Sequence, residues 1–125
     1  MVQDEYIIVM TTVPSDVVGM RIANALLEKQ LAPCVNMVGG VRSIYTWKGQ
    51  VNDEAELILI TKTRAALFEQ VRAEIVANHP YECPEILAIP ILAGHQPYLD
   101  WIGENTTPRA NHPPTGPVGP VTRLT

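Results

Sequence analysis

The densest group of chemically active side chains lies in one seven-residue segment, residues 79–85. Its sequence is His79-Pro80-Tyr81-Glu82-Cys83-Pro84-Glu85. Imidazole, thiol and carboxylate groups are all ligands for divalent metals such as copper and zinc. The two prolines favour an extended backbone, which would hold these side chains in a fixed arrangement. No pair has the i, i+4 or Cys-x-x-Cys spacing of a firm metal site. On composition alone a polar helix-to-strand connection is therefore the favoured interpretation.

Two further candidates lie at the ends of predicted strands. Thr11 is placed where the first strand meets a loop, a common position for ligand contacts, although an exposed strand residue is the simpler interpretation. Lys62 ends a buried strand next to a helix start. It is placed to meet an anion, or to pair with Glu56 or Glu85.

The chain alternates between segments of strand and helix character. Strands are predicted at residues 5–12, 34–38, 41–47, 51–62 and 86–92, and helices at 16–30, 63–79 and 97–104. Ser15 and Thr63 are the expected helix N-caps. A bulge is expected at Gly39-Gly40, which makes 34–62 one long hairpin with Tyr45 and Trp47 on one face of its arm. Pro90 favours an edge position for the last strand.

These elements form two βαβ units. Right-handed crossovers place both long helices on one face of a single antiparallel sheet, so we predict an α+β, βαββαβ fold with a short C-terminal helix. The strands are apolar on both faces, as residues 7–10 and 57–60 show. A second apolar face without a helix to cover it predicts self-association. Shielding by the terminal helix and tail is the alternative.

Composition limits the possible functions. In 125 residues the net charge is −4 and no basic run occurs, so we expect no nucleic-acid partner. No apolar run is long enough to span a membrane and no signal peptide is evident, which makes the cytoplasm the expected compartment. Common catalytic motifs are absent, so we expect neither an enzyme nor an organic cofactor. We predict one domain at residues 1–104 and a flexible Pro/Gly-rich tail at 105–125.

Four segments together resemble one known family. They are Ala32-Pro33-Cys34-Val35-Asn36, Ser43-Ile44-Tyr45-Thr46-Trp47-Lys48-Gly49, the 79–85 segment, and Tyr98-Leu99-Asp100-Trp101-Ile102. In this order they resemble the CutA divalent-cation tolerance family. The resemblance implies a ferredoxin-like fold and a tight homotrimer whose hairpin arm reaches a neighbouring subunit. It also implies a response to metal ions, with copper or another divalent cation bound between subunits.

The resemblance also assigns candidate site residues. It implies His79 and Glu85 as metal ligands. Some members have a cysteine ligand where this chain has Thr11, and threonine is a poor copper ligand. A second interpretation follows from the general likeness to trimeric PII signalling proteins: a sensor or scaffold that binds a small anion between subunits. Its pocket residues would be Thr11, Trp47, Lys62, Tyr81 and Glu82.

Overall fold

The computed structural model describes residues 5–106. Within them the chain forms four strands, three α-helices and one short 3-10 helix. In order these are β1 (Tyr6–Val13), α1 (Asp16–Glu28), β2 (Cys34–Trp47), β3 (Gln50–Arg64), the 3-10 helix (Ala65–Leu67), α2 (Phe68–Asn78), β4 (Ile86–Pro90) and α3 (Gln96–Glu104). Residues 107–125, almost all of the predicted tail, lie outside the described part, as do residues 1–4.

The four strands form one antiparallel sheet in the order β2-β3-β1-β4. This order confirms the predicted α+β, βαββαβ fold. Strand β4 lies at the edge, where Pro90 pairs with Ile7 without having to donate to a further strand. The edge position predicted from the proline is therefore confirmed.

The core lies between one face of the sheet and helices α1 and α2. Ser15 begins α1 as predicted, since its hydroxyl accepts a hydrogen bond from the Val18 amide at 3.3 Å. Apolar side chains from both helices and from the central strands β1 and β3 then fill the space between the two layers. The buried set includes Val9, Ile22, Leu26, Leu59, Val71 and Ile75.

Three predicted boundaries were wrong. Strand β4 ends at Pro90, two residues before the predicted end at Leu92. Thr63 does not cap α2, because β3 continues to Arg64 and the buried Thr63 hydroxyl donates to the Leu31 carbonyl at 2.6 Å. Helix α1 ends two residues early, at Glu28. Gln30 has a positive φ of 57°, and the Leu31 amide donates back to Leu26 at 2.9 Å, a helix-ending pattern usually built on glycine.

The second face of the sheet is only partly covered. Helix α3 packs over one end, where Ile102 is buried and the Arg64 side chain donates to the Thr106 hydroxyl at 3.0 Å. Further along, Leu87 and Ile89 of β4 are 54% and 40% exposed. The terminal helix therefore does not shield the whole face, and an apolar patch remains.

The β2–β3 hairpin extends beyond the sheet as an arm, here defined as residues 41–56. Its base is the predicted bulge, where pairing shifts between Val38 and Val41 and Gly40 has a φ of 76°. Its tip is a two-residue turn, Lys48-Gly49, with positive φ at both positions, the turn type that matches the twist of a hairpin. No helix in residues 5–106 is long and apolar enough to cross a membrane.

Candidate functional site

A cavity of about 620 Å³ lies between the hairpin arm and the 79–85 segment. The arm contributes one wall and the segment the other, while Thr12 at the end of β1 lies between them. The lining residues are Thr12, Ser43, Ile44, Tyr45, Trp47, Glu56, Pro80, Tyr81, Glu82, Cys83 and Glu85. Neither lysine nor arginine is among them. The cavity thus combines aromatic rings with carboxylates.

His79 anchors the 79–85 segment to the sheet. The residue is 9% exposed, and its Nε2–H donates to the Thr12 carbonyl at 2.7 Å. Its Nδ1 accepts a hydrogen bond from the Tyr81 amide at 3.2 Å. Both ring nitrogens are therefore used within the chain, and a metal ion would have to displace one of these bonds to bind the imidazole.

Two tyrosine–glutamate pairs lie side by side along the cavity. The Tyr81 hydroxyl donates to Oε2 of Glu56 at 2.6 Å, and the Tyr45 hydroxyl donates to Oε1 of Glu54. Glu54 and Glu56 are two residues apart on β3, so they share one face of the arm.

The titration of both phenols reflects these acidic neighbours. The hydrogen bond to Glu54 raises the pKa of Tyr45 to about 12. Burial, followed by the hydrogen bond to Glu56, raises the pKa of Tyr81 well above its usual range. Each phenol therefore stays protonated and hydrogen-bonded to its carboxylate at neutral pH.

The mouth of the cavity also carries carboxylates. Glu82 pairs with Lys48 at the hairpin tip, with 3.3 Å between Nζ and Oε2. The same Nζ lies 5.6 Å from the centre of the Trp47 ring. The backbone carbonyl of Glu85 accepts a hydrogen bond from the Thr11 hydroxyl, while its exposed side chain lines the cavity.

The structure brings together some of the residues predicted from the sequence. Trp47, Tyr81, Glu82 and Glu85 all line the cavity. Thr11 does not, because it is fully buried and Thr12 takes the position facing the cavity.

Lys62 and His79 also lie outside the lining. Lys62 Nζ approaches the Cys34 sulfur at 3.7 Å instead of the carboxylates Glu56 or Glu85. His79 lies behind the wall, where its ring packs 4.6 Å from that of Tyr81. It shapes the wall from beneath without contributing to the surface.

Glu56 lines the cavity but is not among the pocket residues predicted from the sequence. The sequence indicates it only as a partner for Lys62, yet it is 6% exposed and lines the cavity. A glutamate directly before the apolar run 57–60 was the available signal, because a carboxylate in such a strand needs a partner. The wall residues Ser43 and Ile44 carried no comparable signal.

The ligand atoms available at the cavity limit which metal ions it could bind. Among residues 5–106, no three His, Cys, Asp or Glu side chains converge on one point. With His79 engaged, the accessible donors are mainly the carboxylates of Glu82 and Glu85 and the thiol of Cys83. Carboxylate oxygens suit magnesium, calcium and manganese, whereas copper prefers nitrogen or sulfur. A single chain therefore offers only an incomplete set of predominantly oxygen donors for a metal ion.

Fold and site together first define a class: small α+β proteins of ferredoxin-like topology with an acidic, aromatic-lined cavity beside a hairpin arm. The family model "CutA1 divalent ion tolerance protein" matches residues 7–105. The chain is 48% identical over 99 residues to the "Divalent-cation tolerance protein CutA" of Thermus thermophilus, covering 79% of this chain and 96% of that protein. The chain therefore belongs to the CutA1 divalent ion tolerance protein family.

Solved structures agree with this assignment. The CutA1 structure from Thermus thermophilus superposes with a TM-score of 0.79 at 47% identity, covering 82% of this chain and 99% of the other. A structure of the "periplasmic divalent cation tolerance protein CutA" of Archaeoglobus fulgidus also gives 0.79, at 41% identity and the same two coverages. The family resemblance and the fold predicted from the sequence are confirmed.

Proposed function

We propose that this chain is a divalent-cation tolerance protein that binds divalent metal ions at the mouth of the cavity, with Glu85 as the principal ligand. One observation carries the proposal. Three carboxylates, those of Glu56, Glu82 and Glu85, line a single cavity that has no lysine or arginine in its wall. Such a concentration of one sign of charge raises the local concentration of cations.

Glu85 is the most available of the three carboxylates. Within the described chain, Glu56 accepts a hydrogen bond from Tyr81 and Glu82 pairs with Lys48, whereas the Glu85 carboxylate has neither kind of partner. Copper is the cation suggested by the family resemblance. Because His79 is engaged on both nitrogens, we expect copper to bind less tightly than it would with an imidazole ligand, although still more tightly than manganese.

We further propose that the metal site lies between subunits of a homotrimer. The partial ligand set in one protomer supports this, because a neighbouring subunit can supply the remaining donors. The exposed apolar patch with Leu87 and Ile89 supports it independently, since contiguous apolar surface of this kind marks an interaction face. Closed rotational symmetry would cover that patch in every copy.

The proposal keeps two further expectations from the sequence. The role is binding without catalysis, in line with a family defined by ion tolerance and not by a reaction. The proposed compartment is the cytoplasm. One relative is described as periplasmic, so cell fractionation is needed to test this expectation. A sensor for a small anion is less well supported, because the cavity wall is acidic and Lys62 lies outside it.

Isothermal titration with Cu²⁺ and separately with Mn²⁺ tests the metal proposal. Wild type is compared with Glu85→Gln and with the matched control Glu28→Gln on the exposed side of α1. We expect Glu85→Gln to weaken binding of both ions about tenfold or more, and the control to leave it unchanged. Equal binding by all three proteins would exclude Glu85. Light scattering of wild type tests the trimer, which requires three times the mass of one chain.

A further inference from the structure

A buried carboxylate with no basic partner lies in the wall of the cavity. Glu56 is 6% exposed, and its partner is the neutral Tyr81 hydroxyl at 2.6 Å. No lysine or arginine of residues 5–106 forms an ion pair with it. A carboxylate removed from water is costly unless a positive charge accompanies it. The wall therefore favours a cation brought in from outside.

Aromatic rings form much of the remaining surface. Trp47, Tyr45 and Tyr81 line the cavity, with Ile44 and Pro80 as apolar neighbours. The electron-rich faces of such rings attract organic cations as well as apolar groups. They are not ligands for a divalent metal ion. A cavity of about 620 Å³ also exceeds what a single ion occupies and lies in the range of small-molecule sites.

The chain itself shows an ammonium group held by this kind of surface. Lys48 Nζ lies 5.6 Å from the centre of the Trp47 ring and 3.3 Å from the Glu82 carboxylate. The lysine is at the mouth of the cavity and its side chain is 68% exposed, so it leaves Glu56 uncompensated. An aromatic ring and a carboxylate thus already hold one primary ammonium at the entrance.

We propose that the inner part of the cavity binds a primary organic ammonium compound with an apolar body. The ammonium group donates to Glu56, and the apolar body packs against Trp47 and Ile44. This goes beyond the proposed metal function, because it uses a different carboxylate and the aromatic wall. A primary ammonium is preferred over a quaternary one, since Glu56 and the Thr12 and Ser43 hydroxyls of the wall accept hydrogen bonds.

Isothermal titration of the full chain with benzylammonium chloride tests the proposal, with benzyl alcohol as the neutral probe of nearly the same shape. We expect millimolar or tighter binding of benzylammonium, and at least about tenfold weaker binding of the alcohol. Equal affinity for the two probes, or no binding of benzylammonium up to about 10 mM, would overturn the proposal.

Two variants locate the binding. Glu56→Gln removes the charge, and Trp47→Leu, at the exposed arm, removes the ring without disturbing the core. We expect each to weaken benzylammonium binding about tenfold, with Glu69→Gln on the exposed side of α2 as the unchanged control. If Glu56→Gln does not fold, Trp47→Leu still decides. Wild-type affinity in Trp47→Leu contradicts the proposed site.

The metal proposal and the ammonium proposal can be refuted independently of each other. Benzylammonium binding should persist in Glu85→Gln, and Mn²⁺ binding should persist in Glu56→Gln. If wild type binds no Mn²⁺ but binds benzylammonium over benzyl alcohol, the metal proposal fails and this one stands. If benzylammonium binding is lost in Glu85→Gln but not in Glu56→Gln, the ammonium site assigned here is wrong.

Discussion

Replacing His79 tests whether this residue acts as a structural anchor. The imidazole makes two hydrogen bonds, one from Nε2–H to the buried Thr12 carbonyl and one to Nδ1 from the Tyr81 amide. His79→Ala loses both and leaves the Thr12 carbonyl without a partner. A lost hydrogen bond costs about 1 kcal/mol, and an unsatisfied buried carbonyl about 1–3 kcal/mol. We expect the free energy of unfolding to fall by about 3 kcal/mol.

Two conservative replacements separate the contributions of the two hydrogen bonds. In His79→Gln the side-chain amide can still donate near the position of Nε2, so the Thr12 bond is kept. In His79→Asn the amide oxygen can still accept near the position of Nδ1, so the Tyr81 bond is kept. Because the Thr12 carbonyl is the more deeply buried partner, stability should decrease in the order wild type, Gln, Asn, Ala.

Urea unfolding followed by circular dichroism measures this series. All proteins must be at one concentration, because assembly would make the midpoint concentration-dependent. A loss below about 0.5 kcal/mol in His79→Ala would refute the reasoning, since it would mean that neither bond contributes. Copper titration of His79→Gln supplies a second readout. An anchor predicts wild-type affinity, whereas a metal ligand predicts clear loss.

Three further outcomes are expected. Tyr81 has a raised pKa in the folded chain, so its contribution to stability is intact below about pH 10 and falls as the pH rises further. Between pH 8 and 11 the urea midpoint of Tyr81→Phe should therefore fall less steeply than that of wild type. Leu87→Glu should dissociate the proposed trimer in light scattering, whereas Val76→Glu, on similarly exposed α2 surface, should not; an intact Leu87→Glu assembly would remove the β4 face from the interface. Thr63→Val leaves the buried Leu31 carbonyl without its donor, so the free energy of unfolding should fall by about 1–2 kcal/mol in the same urea assay. An unchanged midpoint would show that the carbonyl finds another partner.

Local chemistry made much of the fold predictable. Ser15 begins α1 because its hydroxyl accepts a hydrogen bond from the first turn, and Pro90 marks the edge strand because it has no amide hydrogen to donate. Two boundaries depended on distant partners. Thr63 has the sequence character of a helix cap, but its hydroxyl is held by Leu31, 32 positions away. Gln30 adopts a conformation that the sequence would assign to glycine, so the end of α1 was not visible.

The site was predictable only in part, because it too depends on partners that are distant in sequence. Trp47, Tyr81 and Glu85 belong to segments dense in functional side chains, and they do meet at the cavity. The role of His79 depends on which backbone groups its two nitrogens reach, and spacing along the chain does not encode that. Glu56 becomes part of the wall because Tyr81, 25 residues away, approaches it in space.

The bulge at Gly39-Gly40 sets the phase of the whole arm. Between Val38 and Val41, β2 advances by three residues while β3 advances by two. Since side chains alternate between faces, this one extra residue decides which half of the arm's side chains shares the face of Glu56. If the full-length strand paired through this point without the bulge, Arg42 would lie opposite Glu54 on that face and Tyr45 would lie on the other. Deleting one of the two glycines, by contrast, would remove the extra residue and keep Val41 opposite Glu56. The acidic aromatic wall should therefore survive that deletion, whereas a change that straightens the bulge at full length should bring a cation into the wall.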